Sequence, residues 1–178
     1  MVWLEKFFVT LFGSDYNLSR LVRASKLIGP HRVVMGDVTN YPAIDDAFDV
    51  IFFNHVLEHV KEDDRALTEL FRILKPGGMA IVGVPNEGAF FWQLAYRLQP
   101  QTRASTDHVH FYTPQSLAAT CQRAGFTVEN VYPIGWGIPH WSLDSLVRRF
   151  EWVDDLFERL GRTLLPSQAT SLYLTLRK

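Results

Sequence analysis

The segment "FDVIFFNHVLEHV", Phe48 to Val60, constrains this chain most, because an apolar run stops abruptly at Asn, His, Glu and His. The run from Phe48 to Asn54 is rich in Phe, Val and Ile and bounded by acids before and polar groups after, which predicts a strand buried on both faces. Such strands belong to parallel sheets. Their carboxyl ends open into crevices where loops diverge and helix N-termini offer free N–H groups. Asn54, His55, Glu58 and His59 therefore fall at a candidate pocket.

Strand and helix signals alternate along the rest of the chain. "FFVTLFGSD" (Phe7 to Asp15) predicts a buried strand, and "YNLSRLVRASKLIG" a helix carrying Leu18, Leu21, Val22 and Leu27 until Gly29-Pro30 stops it. "HRVVMGD" (His31 to Asp37) predicts a second short strand, again ending on an acid. From Asp63 a helix is signalled by acids in its first turn, by Leu67, Leu70, Phe71 and Leu74 on one face, and by the "PGG" that follows. "MAIVGVP" (Met79 to Pro85) predicts another doubly buried strand. "TPQSLAATCQRAGF" has Thr113 as N-cap, Pro114 at the first helical position and Gly125 past the end. "TVENVYPI" predicts a strand, "WSLDSLVRRFEWVDDLFERLG" a largely helical stretch, and "TSLYLTLRK" a last strand with Leu172, Leu174 and Leu176 on one face. The alternation predicts an α/β, doubly wound, mostly parallel sheet whose closing strand pair is an antiparallel edge. One domain over 1–178 is expected, with 1–86 as core, 87–112 as an aromatic connection or lid, and 113–178 as C-terminal helices and edge strands.

Composition narrows the partners. A formal net charge of −1 and a pI near 6.6 give no global field for nucleic acid or an anionic membrane surface. The single cysteine, Cys121, excludes an internal disulfide and a cysteine metal cluster, and reads as a small apolar filler on a helix. The apolar start "MVWLEKFFVTLF" is too short to span a bilayer, so a soluble, cytoplasmic protein without stable membrane insertion is expected.

"GDVTNYPAIDDAFDVIFFNHVLEHVKEDDRALTELFRILKPGGMAIVGVPNE" resembles the middle of class I S-adenosylmethionine-dependent methyltransferases, in particular the broad group acting on small molecules. The likeness is strong over Asp37 to Asn86 and continues more weakly through "DHVHFYTPQSLAATCQRAGFTV". It implies S-adenosylmethionine as cofactor and a small-molecule, glycan or lipid-like acceptor. It also implies cofactor contacts from Asp15 with Tyr16 at the ribose, from Asp37 with Val38 at the adenine, and from Asn54 and His55 on the methionine side. Glu58, His59, Phe91, Trp92 and His108 would lie on the substrate side, with His108 and His55 as the catalytic candidates. A carboxylate can accept two hydrogen bonds from a vicinal diol, and methyl transfer from a sulfonium needs alignment more than an elaborate acid–base apparatus.

The chain departs from the family pattern at one motif. No "DxGxGxG" loop, whose glycines let backbone approach the cofactor at a helix N-terminus, is found in the sequence. Either Phe7–Asp15 is the family's second strand and the chain starts after the motif, or it is a degenerate first strand; the interval from Asp37 to Phe48 favours the former. The first reading implies a sheet lacking its first strand and helix, with self-association through an exposed edge. A rival function is a catalytically silent remnant or binding module.

Each candidate also has a plainer reading. Asp15 and Asp37 can cap turns, Asn54 and His55 can satisfy loop backbone, and Glu58 and His59 can complement a helix start. His108 and His110 straddle Val109, so in an extended segment at most one faces a pocket. Glu58, His59 and His108 match no strong ligand spacing, so no metal is expected.

Overall fold

Two separate sheets form, and each follows from its own stretch of sequence. The computed structural model describes residues 10–101, 106–136, 146 and 149–178, and the chain divides into two compact units, Met1–Ile44 and Asp45–Lys178.

In the first unit, β1 (Gly13–Asp15) pairs in parallel with β2 (Val33–Met35), joined by α1 (Leu18–Ile28). Asn17 caps α1, its side-chain oxygen accepting from the N–H groups of Ser19 and Arg20 at 2.9 and 3.2 Å. Leu21 and Ile28 are buried, whereas Leu18, Val22 and Leu27, expected on the same apolar face, are exposed. The strand expected from Phe7 is shorter: Thr10 to Phe12 are irregular, and residues 7–9 lie outside the described ones. The second strand is shortened as well, because Pro30–Arg32 makes a 3₁₀ turn that the proline favours at its first position.

The second unit holds a four-stranded sheet in the order β3-β4-β6-β5. Its strands are β3 (Phe48–Asn54), β4 (Leu74–Pro85), β5 (Thr127–Ile134) and β6 (Ser171–Arg177). β3 and β4 are parallel, joined by α2 (Asp63–Ile73) in a crossover. β6 runs antiparallel to both β4 and β5, so the closing pair forms the sheet's antiparallel edge. Leu172, Leu174 and Leu176 are all buried, as period-two alternation requires of a one-sided strand.

β3 is not buried on both faces. Phe53 is buried, but Phe52 is 47% exposed and Asp49 pairs with Lys75 at the surface. Among the described residues β3 has a strand neighbour on one side only, β4, so its apolar run outlines an edge rather than a sheet centre.

α4 (Pro114–Arg123) has the predicted start: Thr113 and Ser116 form a reciprocal capping box. Gly125 takes φ 103° just past its end, a conformation that favours glycine. Leu117 and Cys121 on this helix are buried, and the thiol fills core as expected. α3 (Phe90–Leu98) opens the aromatic connection, and α5 (Glu151–Leu164) lies before β6. The helix expected from Trp141 falls largely on residues outside the described ones until Arg149.

Candidate functional site

The carboxyl end of β3 is held in place from beneath. Asn54 lies opposite Gly83 of β4, and the N–H of His55 donates to the Gly83 carbonyl at 2.8 Å. Glycine is required there: a Cβ on Gly83 would stand 2.6 Å from Asn54 Oδ1 and 2.5 Å from the Tyr173 ring. His55 takes φ 51°, a left-handed conformation uncommon for a non-glycine residue and a form of strain that clusters at functional sites. This turns the chain sharply out of the strand and into a 3₁₀ turn, Leu57–His59.

Leu57 is fully buried and anchors that turn, while Glu58 beside it is only 1% exposed. A buried carboxylate needs compensating partners. Its Oε1 lies 3.2 Å from His55 Nδ1 and 3.9 Å from His59 Nε2, while Oε2 has no hydrogen-bond partner among the described residues.

The turn in turn fixes a distant segment. The backbone carbonyl of Glu58 accepts from the N–H groups of Val109 and His110 at 2.8 and 3.2 Å. This places the rings of His59 and His108 edge to face, 4.9 Å apart. His108 Nδ1 meets Glu87 Oε1 at 3.1 Å, and Tyr96 donates its hydroxyl to that same oxygen at 3.0 Å. Glu87 is 4% exposed, and its N–H donates to the Tyr112 carbonyl at 3.0 Å. His110 points elsewhere, with Nε2 3.1 Å from the Lys61 carbonyl. Two buried carboxylates and three imidazoles, His55, His59 and His108, thus form one polar cluster at the end of β3 and β4.

Glu87 and Tyr112 were not among the sequence candidates. One signal was available for Glu87: it follows an apolar strand within two residues, as Asp15 and Asp37 do. Tyr96, expected as part of a lid with Phe90, Phe91 and Trp92, is instead buried and stacked on Trp92 at 5.8 Å. Phe90 is exposed, and the side chain of Phe91 lies outside the described residues.

The first unit places the remaining candidates on its two strand ends. Asp15 Oδ1 accepts from the Asn17 N–H at 2.9 Å, with Arg20 3.7 Å from Oδ2. Asp37 Oδ1 accepts from both the N–H and the hydroxyl of Thr39 at 2.8 Å. Both therefore shape the turns after their strands, as short acidic side chains do. Tyr16 is exposed and Val38 half-buried.

A strand–helix–strand crossover with a polar cluster at the strand ends, and an antiparallel strand pair closing the sheet, define a class I methyltransferase fold. The chain belongs to the methyltransferase domain family, whose model matches residues 2–131. It is 30% identical over 115 residues to a demethylmenaquinone methyltransferase of Streptomyces avermitilis, covering 60% of this chain and 49% of the relative. A ubiquinone/menaquinone biosynthesis C-methyltransferase of Vibrio vulnificus is 38% identical over 61 residues, 34% of this chain and 24% of that protein. The chain thus spans half or less of the length of these relatives. Among solved structures, an S-adenosylmethionine-dependent methyltransferase from Thermotoga maritima superposes with a TM-score of 0.68 at 20% identity, covering 94% of this chain and 72% of the other. Among the described residues no helix is long and apolar enough to cross a membrane.

Proposed function

We propose that this chain takes part in S-adenosylmethionine-dependent methyl transfer to a small, ring-bearing and largely apolar acceptor, in the cytoplasm. The observation that carries the reading is the cluster at the carboxyl end of β3, where a strained His55, buried Glu58 and a Glu87-held His108 converge within a family whose members transfer methyl groups. Fixed polar groups of this kind align the attacking atom of an acceptor for in-line displacement, which is most of what methyl transfer from a sulfonium requires.

Asp15 and Asp37 remain the groups proposed for the nucleoside, and Asn54 and His55 for the methionine portion. The buried Oδ1 of Asn54, without a hydrogen-bond partner among the described residues, supports this, since such an acceptor invites a donor such as an ammonium group. On the acceptor side, Phe111 is partly exposed with its ring 6.5 Å from that of His108, and it offers an apolar face beside the polar cluster. A quinone-like ring fits these groups, in keeping with the names of two relatives.

Calorimetric titration of the 178-residue chain with S-adenosylmethionine, followed by transfer of a labelled methyl group to a panel of hydroxylated ring compounds, tests the reading. Saturable cofactor binding and labelled product are expected. A chain that binds neither S-adenosylmethionine nor its demethylated product would overturn it.

A further inference from the structure

Glu58, His59 and His108 each offer one ligand atom, and these atoms all lie within 4.8 Å of one another. We propose that they form a binding site for a first-row divalent cation of the zinc class, with at least one coordination position left open. Two imidazoles and one carboxylate suit such borderline ions better than magnesium or calcium, which favour oxygen-only shells.

Three features separate this cluster from a chance meeting of polar side chains. Each imidazole is already oriented by its other nitrogen. His108 Nδ1 is held by the Glu87 carboxylate at 3.1 Å, and His59 Nδ1 by the carboxylate and carbonyl of Asp107 at 3.0 and 3.3 Å. That leaves Nε2 as the ligand nitrogen on both rings, and a carboxylate or carbonyl behind a histidine is the usual outer support of a metal ligand.

Glu58 supplies the second feature. It is 1% exposed, its Oε2 has no hydrogen-bond partner among the described residues, and Oε1 is shared at 3.2 and 3.9 Å by two histidines. A cation at Oε1 would balance the buried charge, and a carboxylate bound through both oxygens would satisfy Oε2 as well. The third feature is the backbone. The Glu58 carbonyl grips the N–H groups of Val109 and His110, so the spacing between the Glu58–His59 pair and His108 is set by main-chain hydrogen bonds. Ligands on a tetrahedral ion with bonds of about 2.0–2.2 Å sit roughly 3.3–3.6 Å apart. The 3.9 Å between Glu58 Oε1 and His59 Nε2 needs to close by a few tenths of an ångström, and separations at the 4.8 Å limit of the trio by about one.

The sequence singles out these three residues but shows no ligand spacing, because two are adjacent and the third lies far along the chain, joined to them only by the fold. Its use in catalysis rests on the methyltransferase reading: the open position would hold an acceptor oxygen and lower the cost of its negative charge. Cation binding itself does not rest on that reading.

The test uses the full chain, stripped with chelator and titrated with Zn²⁺ by calorimetry and with Co²⁺ by visible absorption. One saturable equivalent of zinc is expected, with a cobalt spectrum of low-coordinate nitrogen and oxygen ligation. Glu58→Gln and His108→Ala should abolish both signals in variants whose circular dichroism matches the parent. Glu87→Gln should weaken zinc about 10–100-fold, as loss of outer support does, and His110→Ala should leave it unchanged. Should a variant fail to fold, protection of His59 from diethylpyrocarbonate by zinc, read by mass spectrometry on the unaltered chain, serves in its place. Absence of saturable zinc binding, equal affinity in the folded Glu58→Gln and His108→Ala variants, or no protection of His59 would overturn the proposal. A chain that binds zinc but not S-adenosylmethionine removes the proposed function and keeps this site; the converse removes the site and keeps the function.

Discussion

Tyr112 donates its hydroxyl proton to the Asp63 carboxylate at 2.7 Å, joining the segment that carries His108 to the first turn of α2. The tyrosine is buried, and burial together with the Asp63 hydrogen bond pushes its ionisation well above the usual phenol range. Tyr112→Phe should therefore destabilise the second unit by about 1–2 kcal/mol, somewhat under the full value for a hydrogen bond to a charged group because Asp63 keeps some solvent access. Denaturant unfolding of the variant measures this, and a shift in midpoint with unchanged slope is the expected form.

Alkaline pH should weaken the fold through Cys121. Burial pushes its thiol up from 9.0 to about 12. Because the folded value is raised, the stabilisation is complete below the unfolded thiol's pKa and is lost as pH rises from about 9 toward about 12. Thermal midpoints measured across that window should fall, and Cys121→Ala should flatten the part of the fall due to the thiol. Native protein should react with iodoacetamide only as fast as it unfolds.

Gly83→Ala should damage both the sheet and the site. The added methyl would meet the Tyr173 ring and Asn54 Oδ1 at 2.5 and 2.6 Å, which overpacking data place at about 1–3 kcal/mol. Because Asn54 and Tyr173 must shift, cofactor affinity should drop along with thermal stability. Gly161→Ala gives the contrast: its methyl would strike the Trp136 ring beneath α5, so stability should fall without specific loss at the β3 end.

Asp15→Asn separates two roles of one side chain. The amide oxygen can still accept from the Asn17 N–H, so the turn after β1 should persist. A carboxylate that grips ribose hydroxyls cannot be so replaced, and S-adenosylmethionine affinity should fall by about 1.5–3 kcal/mol. Equal affinity in calorimetry would leave Asp15 with its turn alone.

Self-association through β3 should also show in solution. Phe52 is 47% exposed on a strand whose one strand neighbour among the described residues is β4. Apolar edges of this sort template association, and a lysine blunts them. Light scattering should find concentration-dependent association that Phe52→Lys reduces.

Local chemistry made much of the fold legible. Thr113, Pro114 and Gly125 delimit α4 through capping and backbone freedom, and Leu172, Leu174 and Leu176 reveal the buried face of β6 by alternation alone. The apolar run of β3 misled on burial because composition reports what a strand could bury, not which neighbours arrive to bury it. Asn54, His55, Glu58, His59 and His108 could be singled out from strand-end position and family likeness. Their mutual geometry could not, since it depends on the Glu58 carbonyl holding Val109 and His110 across a long stretch of chain. Glu87 stayed hidden because its importance lies in what its carboxylate touches, the imidazole of His108 and the hydroxyl of Tyr96.

β6 lies between β4 and β5, antiparallel to both. A ribosome therefore delivers the flanking strands well before the one that separates them. Until Ser171–Arg177 has left the exit tunnel, β5 has no partner and β4 presents a bare flank to every other nascent chain nearby. Nicking the polypeptide within β6 would remove the sheet's interior rather than trim its margin, so the second unit's sheet can close only after β6 has emerged.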